Sequence, residues 1–136
     1  MMRWMLDTDI CIELIRGKSA RILDHLRSKA VGSVGLSAIT LAELRFGVAN
    51  SSSPLRNQMA LAQFTAPLQV AAFDGAAAGT YGLLRATLER QGRPIGPLDT
   101  LIAAHALCLR TTLVSNNTRE FSRIDGLTVE NWAREA

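Results

Sequence analysis

Short apolar runs alternate with helix-period segments along most of this chain, and no other feature narrows the fold as far. Residues 3–6 (Arg-Trp-Met-Leu) read as a buried strand that ends at Asp7, and 9–16 carry helix spacing with Gly17 as the stop. A second helix is expected over about 20–30, a second strand at Val34 and Leu36, and a helix opened by Thr40 that runs to Gly47. Ser51 to Pro54 mark a loop before helical 55–64. Leu68, Val70 and Phe73 predict a third strand, and Asp74 begins a long helix reaching Gln91. After the break at 92–97, Pro97 opens a helix whose apolar stripe is Leu98, Leu101, Ile102, Ala106 and Leu109. Leu113 and Val114 form a fourth strand, 116–121 a turn or short helix, and Leu127 to Val129 a last strand. The pattern predicts an α/β domain with a central, mostly parallel sheet flanked by helices. In such folds ligands bind beyond the carboxyl ends of the strands, where strand order reverses.

The chain's 136 residues, 48% hydrophobic and 20% charged, suit one domain over 1–136 with a real core and exclude a disordered or collagen-like chain. Cys11 and Cys108 stand in apolar helical text without CxxC spacing, so both are expected as reduced core residues and no zinc site is expected. Asp7 and Asp9 interrupt the first apolar stretch before a signal or membrane segment forms, which predicts a cytoplasmic protein without a membrane partner. Thirteen of the fifteen bases are arginine, and the formal charge is +3. That skew points mildly toward phosphate and nucleic acid.

Three of the twelve acids stand where the pattern places strand ends and helix starts inside apolar text: Asp7, Glu43 and Asp99. Each admits two readings. Asp7 caps the following helix or binds a ligand; Glu43 closes a Thr40-x-x-Glu43 capping box or faces a site; Asp99 serves the helix dipole or does chemistry. Glu120 reads equally as a solvated turn residue. If the carboxylates converge, a hard cation such as Mg²⁺ or Mn²⁺ is their natural counter-ion.

Leu6-Asp7-Thr8-Asp9-Ile10, Ser37 through Gly47, Gly92 through Ala106, Leu113 through Phe121, and the closing Asp125-Gly126-Leu127 and Val129 to Trp132 occur in an order that resembles a PIN domain of the VapC toxin type. The likeness covers nearly the whole chain. It implies a PIN-like fold and a metal-dependent (Mg²⁺ or Mn²⁺) endoribonuclease, the toxin half of a toxin–antitoxin pair. It implies structured RNA as substrate, often tRNA and in close look-alikes initiator tRNA at the anticodon stem-loop. It also implies a VapB-type antitoxin that fills the active-site groove, and a homodimer that forms a hetero-oligomer with it. Asp7, Glu43 and Asp99 match the family's metal-binding acids. For the fourth position two residues compete, Asn117 and Glu120, since family members differ there. Thr8 and Ser115 match small polar positions around the site and are candidate RNA contacts.

Phosphodiester hydrolysis needs a nucleophile, neutralised phosphoryl charge and a stabilised leaving oxygen, all of which divalent metal supplies. With the four acids Asp7, Glu43, Asp99 and Glu120 set aside, eight acids face fifteen bases, and Arg16, Lys18, Arg21, Arg93 and Arg119 flank the motif loops as candidate phosphate contacts. His105, six residues past Asp99 and about 240° round the helix, is expected in the core or behind the site, and His25 on a surface helix without a role. Two rivals remain. One is a PIN domain that binds RNA or a partner without cutting. The other is a haloacid-dehalogenase-type phosphatase, which Asp7-Thr8-Asp9 permits but Cys11 and the lack of any lysine beyond Lys29 oppose.

Overall fold

The computed structural model describes residues 1–134; the last two of the expected 1–136 domain lie outside the described residues. Its sheet is parallel throughout, in the order β3-β2-β1-β4-β5, with β1 Trp4–Leu6, β2 Val34–Ser37, β3 Gln69–Ala71, β4 Thr112–Val114 and β5 Val129–Glu130. From β1 the chain steps outward through α1 (Thr8–Arg16) and α2 (Ala20–Arg27) to β2, then through α3 (Ala38–Ala49) and α4 (Pro54–Thr65) to β3. It returns through α5 (Gly75–Arg90) and α6 (Pro97–Leu109) to the other side of β1, and α7 (Thr118–Phe121) leads into β5. Parallel crossovers keep one hand, so reversing the direction of travel moves the helices to the opposite face.

Strand alternation makes the two faces visible in the core. Leu6, Leu36 and Val114 point one way and join Ile10 and Cys11 of α1, Ile22 of α2, Leu44 of α3 and Leu61 of α4. Met5 and Leu113, one residue along, point the other way, against Leu88 of α5, Ile102 and Ala106 of α6 and Phe121 of α7.

Local chemistry sets the element ends. Asp7 caps α1, and Gly17 stops it in the left-handed region at φ 65°. Ser19 and Asp74 cap α2 and α5, and Pro97 opens α6. Other boundaries differ from expectation. Ser37, the last residue of β2, caps α3 by accepting from the Ile39 N–H, so the helix begins at Ala38 and the Thr40–Glu43 capping box does not form. The second helix ends at Arg27 rather than 30, where the Ser28 hydroxyl donates to the His25 carbonyl. The third strand is confined to 69–71, and the last is shifted to 129–130. Cys11 is buried as expected, whereas Cys108 is only half-buried; both are free thiols. His25 is not idle: its ring stacks on Trp132, centroids 5.3 Å apart.

Gly35 is a position where only glycine fits. A Cβ there would run into the Gln69 backbone carbonyl of β3 and the end of Met2, and the carbonyl cannot move without breaking the β2–β3 ladder. Gly35→Ala is expected to lower the unfolding free energy by about 2 kcal/mol, in the range that overpacking costs, as read by urea denaturation.

Candidate active site

Strand order reverses at β1: its chain neighbour β2 lies on one side, and β4 on the other. The crevice beyond the carboxyl ends of β1 and β4 is therefore where a parallel fold leaves room for a ligand. Asp7 follows β1 there and Ser115 follows β4, and the Asp7 N–H donates to the Val114 carbonyl at 2.9 Å.

A string of neutral donors ties the acids of this crevice together. Asp7, only 4% exposed, accepts from the Thr8 N–H on Oδ1 and from the Ser115 hydroxyl on Oδ2, each at 2.8 Å. The Thr8 hydroxyl in turn donates to Glu43 Oε1 at 2.7 Å. On the other side Ser115 Oγ accepts from the Asn117 N–H at 2.9 Å, and Asn117 Nδ2 donates to Glu120 Oε2 at 2.8 Å. One continuous path thus runs Glu43–Thr8–Asp7–Ser115–Asn117–Glu120. Asp99, in the first turn of α6, is half-buried across from it.

The acids feel one another. Burial first, and then the Asp9 charge, push the Asp7 carboxyl up from 3.8 to about 7, with Asp99 adding to the rise. Asp99 is raised by burial and then by Glu120, Glu43 and Asp9. Asp9 is raised as well, by burial, although the Asn116 and Ile10 N–H groups work against it. Among the described residues no lysine or arginine forms an ion pair with Asp7, Asp9, Glu43, Asp99 or Glu120; the ion pair formed is Arg85–Glu89, on exposed α5.

The donor chemistry fits a hard divalent cation: all-oxygen side chains, uncompensated negative charge, and carboxyls driven toward neutrality by burial and then by one another. As they stand, however, no three acid, imidazole or thiol groups among the described residues are gathered closely enough to grip an ion. The oxygens of Asp7, Glu43 and Glu120 are held on hydroxyls and amides instead, which an ion would displace or share.

The other expected site residues distribute unevenly. Thr8 spends its hydroxyl on Glu43, and Ser115, fully buried, spends its hydroxyl on Asp7 and Asn117, so Ser115 builds the site and has no surface to offer RNA. Arg16 shares with Glu43 the rim of a cleft of about 230 Å³ between α1, α3 and α4. Lys18, Arg21, Arg93 and Arg119 are exposed. One residue of the crevice, Asn116, is not among those the sequence singles out. Asn116 donates its N–H to Asp9 Oδ2 and its amide to Glu13 Oε2, while its own Oδ1 is buried without a partner among the described residues. The paired asparagines after strand four, Asn116 and Asn117, are the sequence signal that points to it.

Residues 4–127 match the family model described as the PIN domain. The chain belongs to the PIN-domain family. Membership removes the phosphatase alternative. The chain is 42% identical to the tRNA(fMet)-specific endonuclease VapC of Shigella flexneri over 98% of its own length and 100% of that protein's. It superposes with a TM-score of 0.93 on a chain of the DNA-bound VapBC of Salmonella typhimurium, at 39% identity, covering 97% of this chain and 99% of that one. A chain of Rickettsia felis VapBC2, bound to a DNA fragment from its promoter, gives 0.89 at 38% identity, over 96% and 99%. No helix among the described residues is long and apolar enough to cross a membrane.

A PIN domain that buries an acid in this way loses stability as that acid ionises. Because the folded Asp7 carboxyl titrates near 7 instead of 3.8, folding favours its protonated form. The stabilisation is complete below about pH 4 and is lost as pH rises to about 7. In chelator, melting temperature should fall by several degrees between about pH 5 and pH 7.5, a loss on the order of 2–4 kcal/mol. Asp7→Asn should melt higher than the parent at the upper pH and flatten the profile, as read by thermal melts across that range.

Proposed function

We propose that this chain is a VapC-type toxin: a divalent-metal-dependent endoribonuclease that hydrolyses tRNA phosphodiester bonds, blocks translation and growth, and is restrained by a VapB-type antitoxin. The whole of 1–136 serves as one PIN domain. It acts in the cytoplasm, where its substrate is, as a homodimer that the antitoxin converts into a hetero-oligomer. The observation that carries this reading is the hydrogen-bonded path from Glu43 through Asp7 to Glu120, facing Asp99, with none of these acids ion-paired to a base among the described residues. Kinship adds the substrate class, because a relative of nearly equal length is named for tRNA(fMet).

In this reading Asp7, Glu43 and Asp99 hold Mg²⁺ or Mn²⁺, and Glu120 completes the set with Asn117 orienting its carboxylate. The ion, when bound, acidifies water and neutralises charge on the scissile phosphate. The rest is done by the chain itself. Thr8 and Ser115 fix the rotamers of Glu43 and Asp7 without cancelling their charge. Arg16, Lys18, Arg21, Arg93 and Arg119 offset the repulsion between an acidic centre and a polyanion, which makes RNA binding weaken with salt.

Antitoxin-free protein incubated with total tRNA should yield discrete fragments in Mg²⁺ and none in EDTA. Asp7→Asn and Asp99→Asn should each lower the rate at least about 100-fold while RNA retention on a filter changes little; ΔΔG‡ near 3 kcal/mol is typical for losing a metal ligand or an equivalent electrostatic group. Parent protein that retains tRNA yet cuts none with either metal would instead favour a PIN domain that only binds.

A further inference from the structure

His105 lies six residues, about 1.7 turns, beyond Asp99 on α6, 1% exposed, and takes no part in the acid path described above. Its Nδ1 stands 2.8 Å from Ser37 Oγ, the hydroxyl that caps α3, and the Phe73 ring meets it edge-on at 5.2 Å. The imidazole therefore touches three places at once: its own helix, the junction of β2 with α3, and the exit of β3.

Hydrogen-bond accounting fixes its proton. Ser37 Oγ already accepts from the Ile39 N–H at 3.0 Å, and the hydroxyl is fully buried with no other acceptor among the described residues, so it donates to Nδ1. Nδ1 is then bare, and the proton sits on Nε2. Burial outweighs the opposing influence of Asp74 and of Ala72 and lowers the ring's pKa, which agrees with a neutral imidazole.

The consequence concerns two acids that no backbone element joins directly. Glu43 is carried by α3, one and a half turns after its Ser37 cap, and Asp99 by α6. The Asp99 carboxyl makes no side-chain hydrogen bond among the described residues, so its place follows from the placement of α6. Among the described residues, the His105–Ser37 bond is the side-chain hydrogen bond that fastens α6 to the β2–α3 junction. We propose that His105 is a positioning residue: a neutral, Nε2-protonated strut that sets the distance between Asp99 and Glu43 and so holds the two sides of the acid site in register. The inference rests on the metal-dependent nuclease reading and deepens it.

Three measurements test the strut. His105→Phe keeps most of the volume and removes the acceptor, whereas His105→Asn places Oδ1 where Nδ1 was. Assays run well below the melting temperature of each variant, with folded fraction checked by circular dichroism. His105→Phe should weaken Mn²⁺ binding, read by calorimetry or electron paramagnetic resonance without RNA, and should lower kcat on tRNA, each about 10-fold, with KM changed less than about 2-fold. His105→Asn should recover most of both losses even where its melting temperature stays low. In the parent, the ¹⁵N shifts of the ring should report an Nε2–H tautomer that persists at pH 6. Parental Mn²⁺ affinity in His105→Phe, an asparagine variant no better than phenylalanine, or an Nδ1–H tautomer overturns the proposal. If the parent itself cuts no tRNA, the nuclease reading fails while the tautomer and Mn²⁺ measurements still judge the strut.

Discussion

The carboxylate of Asp7 is held almost out of water at the point where a parallel sheet changes direction, and the rest of the site is arranged around that position. A carboxylate in that place is strongly disfavoured as an anion unless something receives its charge. Two neutral donors, the Thr8 N–H and the Ser115 hydroxyl, bind its oxygens without neutralising it. The topology makes the arrangement possible: β1 and β4 are neighbours in space but a hundred residues apart in sequence, so the loop after each delivers one half of the cradle. Asp9 and Asp99 then add charge to a site already short of water. Such a centre is unstable by design of its residues, and its stability returns only with protons or with a cation.

Much of this frame is legible in the residues because it is local. The apolar run that ends at Asp7, the proline that opens α6 two residues before Asp99, and the aspartate at the head of the long helix are each decided by a few neighbours. The errors are local too, and they share a cause. Thr40 and Ser37 are both competent caps, and spacing to Glu43 favours Thr40; the structure chooses Ser37 because β2 runs into α3 with no loop between them. That choice frees Glu43 from a capping box and lets the Thr8 hydroxyl, 35 residues away, claim its carboxylate. Asn116 bonded to Asp9 and Glu13 joins positions more than a hundred residues apart, and no periodicity encodes such a contact.

The fourth acidic position shows the same division of labour. In sequence Asn117 and Glu120 compete, three residues apart, for one role. In space they are not rivals: the Asn117 amide donates to the Glu120 carboxylate, and its backbone N–H reaches back to Ser115. An asparagine in place of an acid here subtracts a charge but supplies a donor, and the donor aims the charge that remains. Because Glu120 also raises Asp99 by its own charge, the two halves of the crevice are coupled through it.

Hydroxyls and amides, rather than arginines, hold these carboxylates, and the distinction is chemical. A guanidinium would bind a carboxylate in bidentate fashion, keep it ionised and stabilise the apo protein. On the metal-dependent reading proposed above, it would also occupy the same oxygens that a cation must reach, and its displacement would leave a buried charge unpaired, at a penalty of several kcal/mol. A hydroxyl or amide orients the oxygen it binds, leaves its second lone pair free, and carries no charge to be expelled. In that reading, stability of the metal-free state is exchanged for a site in which an arriving cation meets oriented oxygens and no competitor. The arginine-rich remainder of the chain, kept at the exposed surface, can then serve attraction over distance without short-circuiting the centre it surrounds.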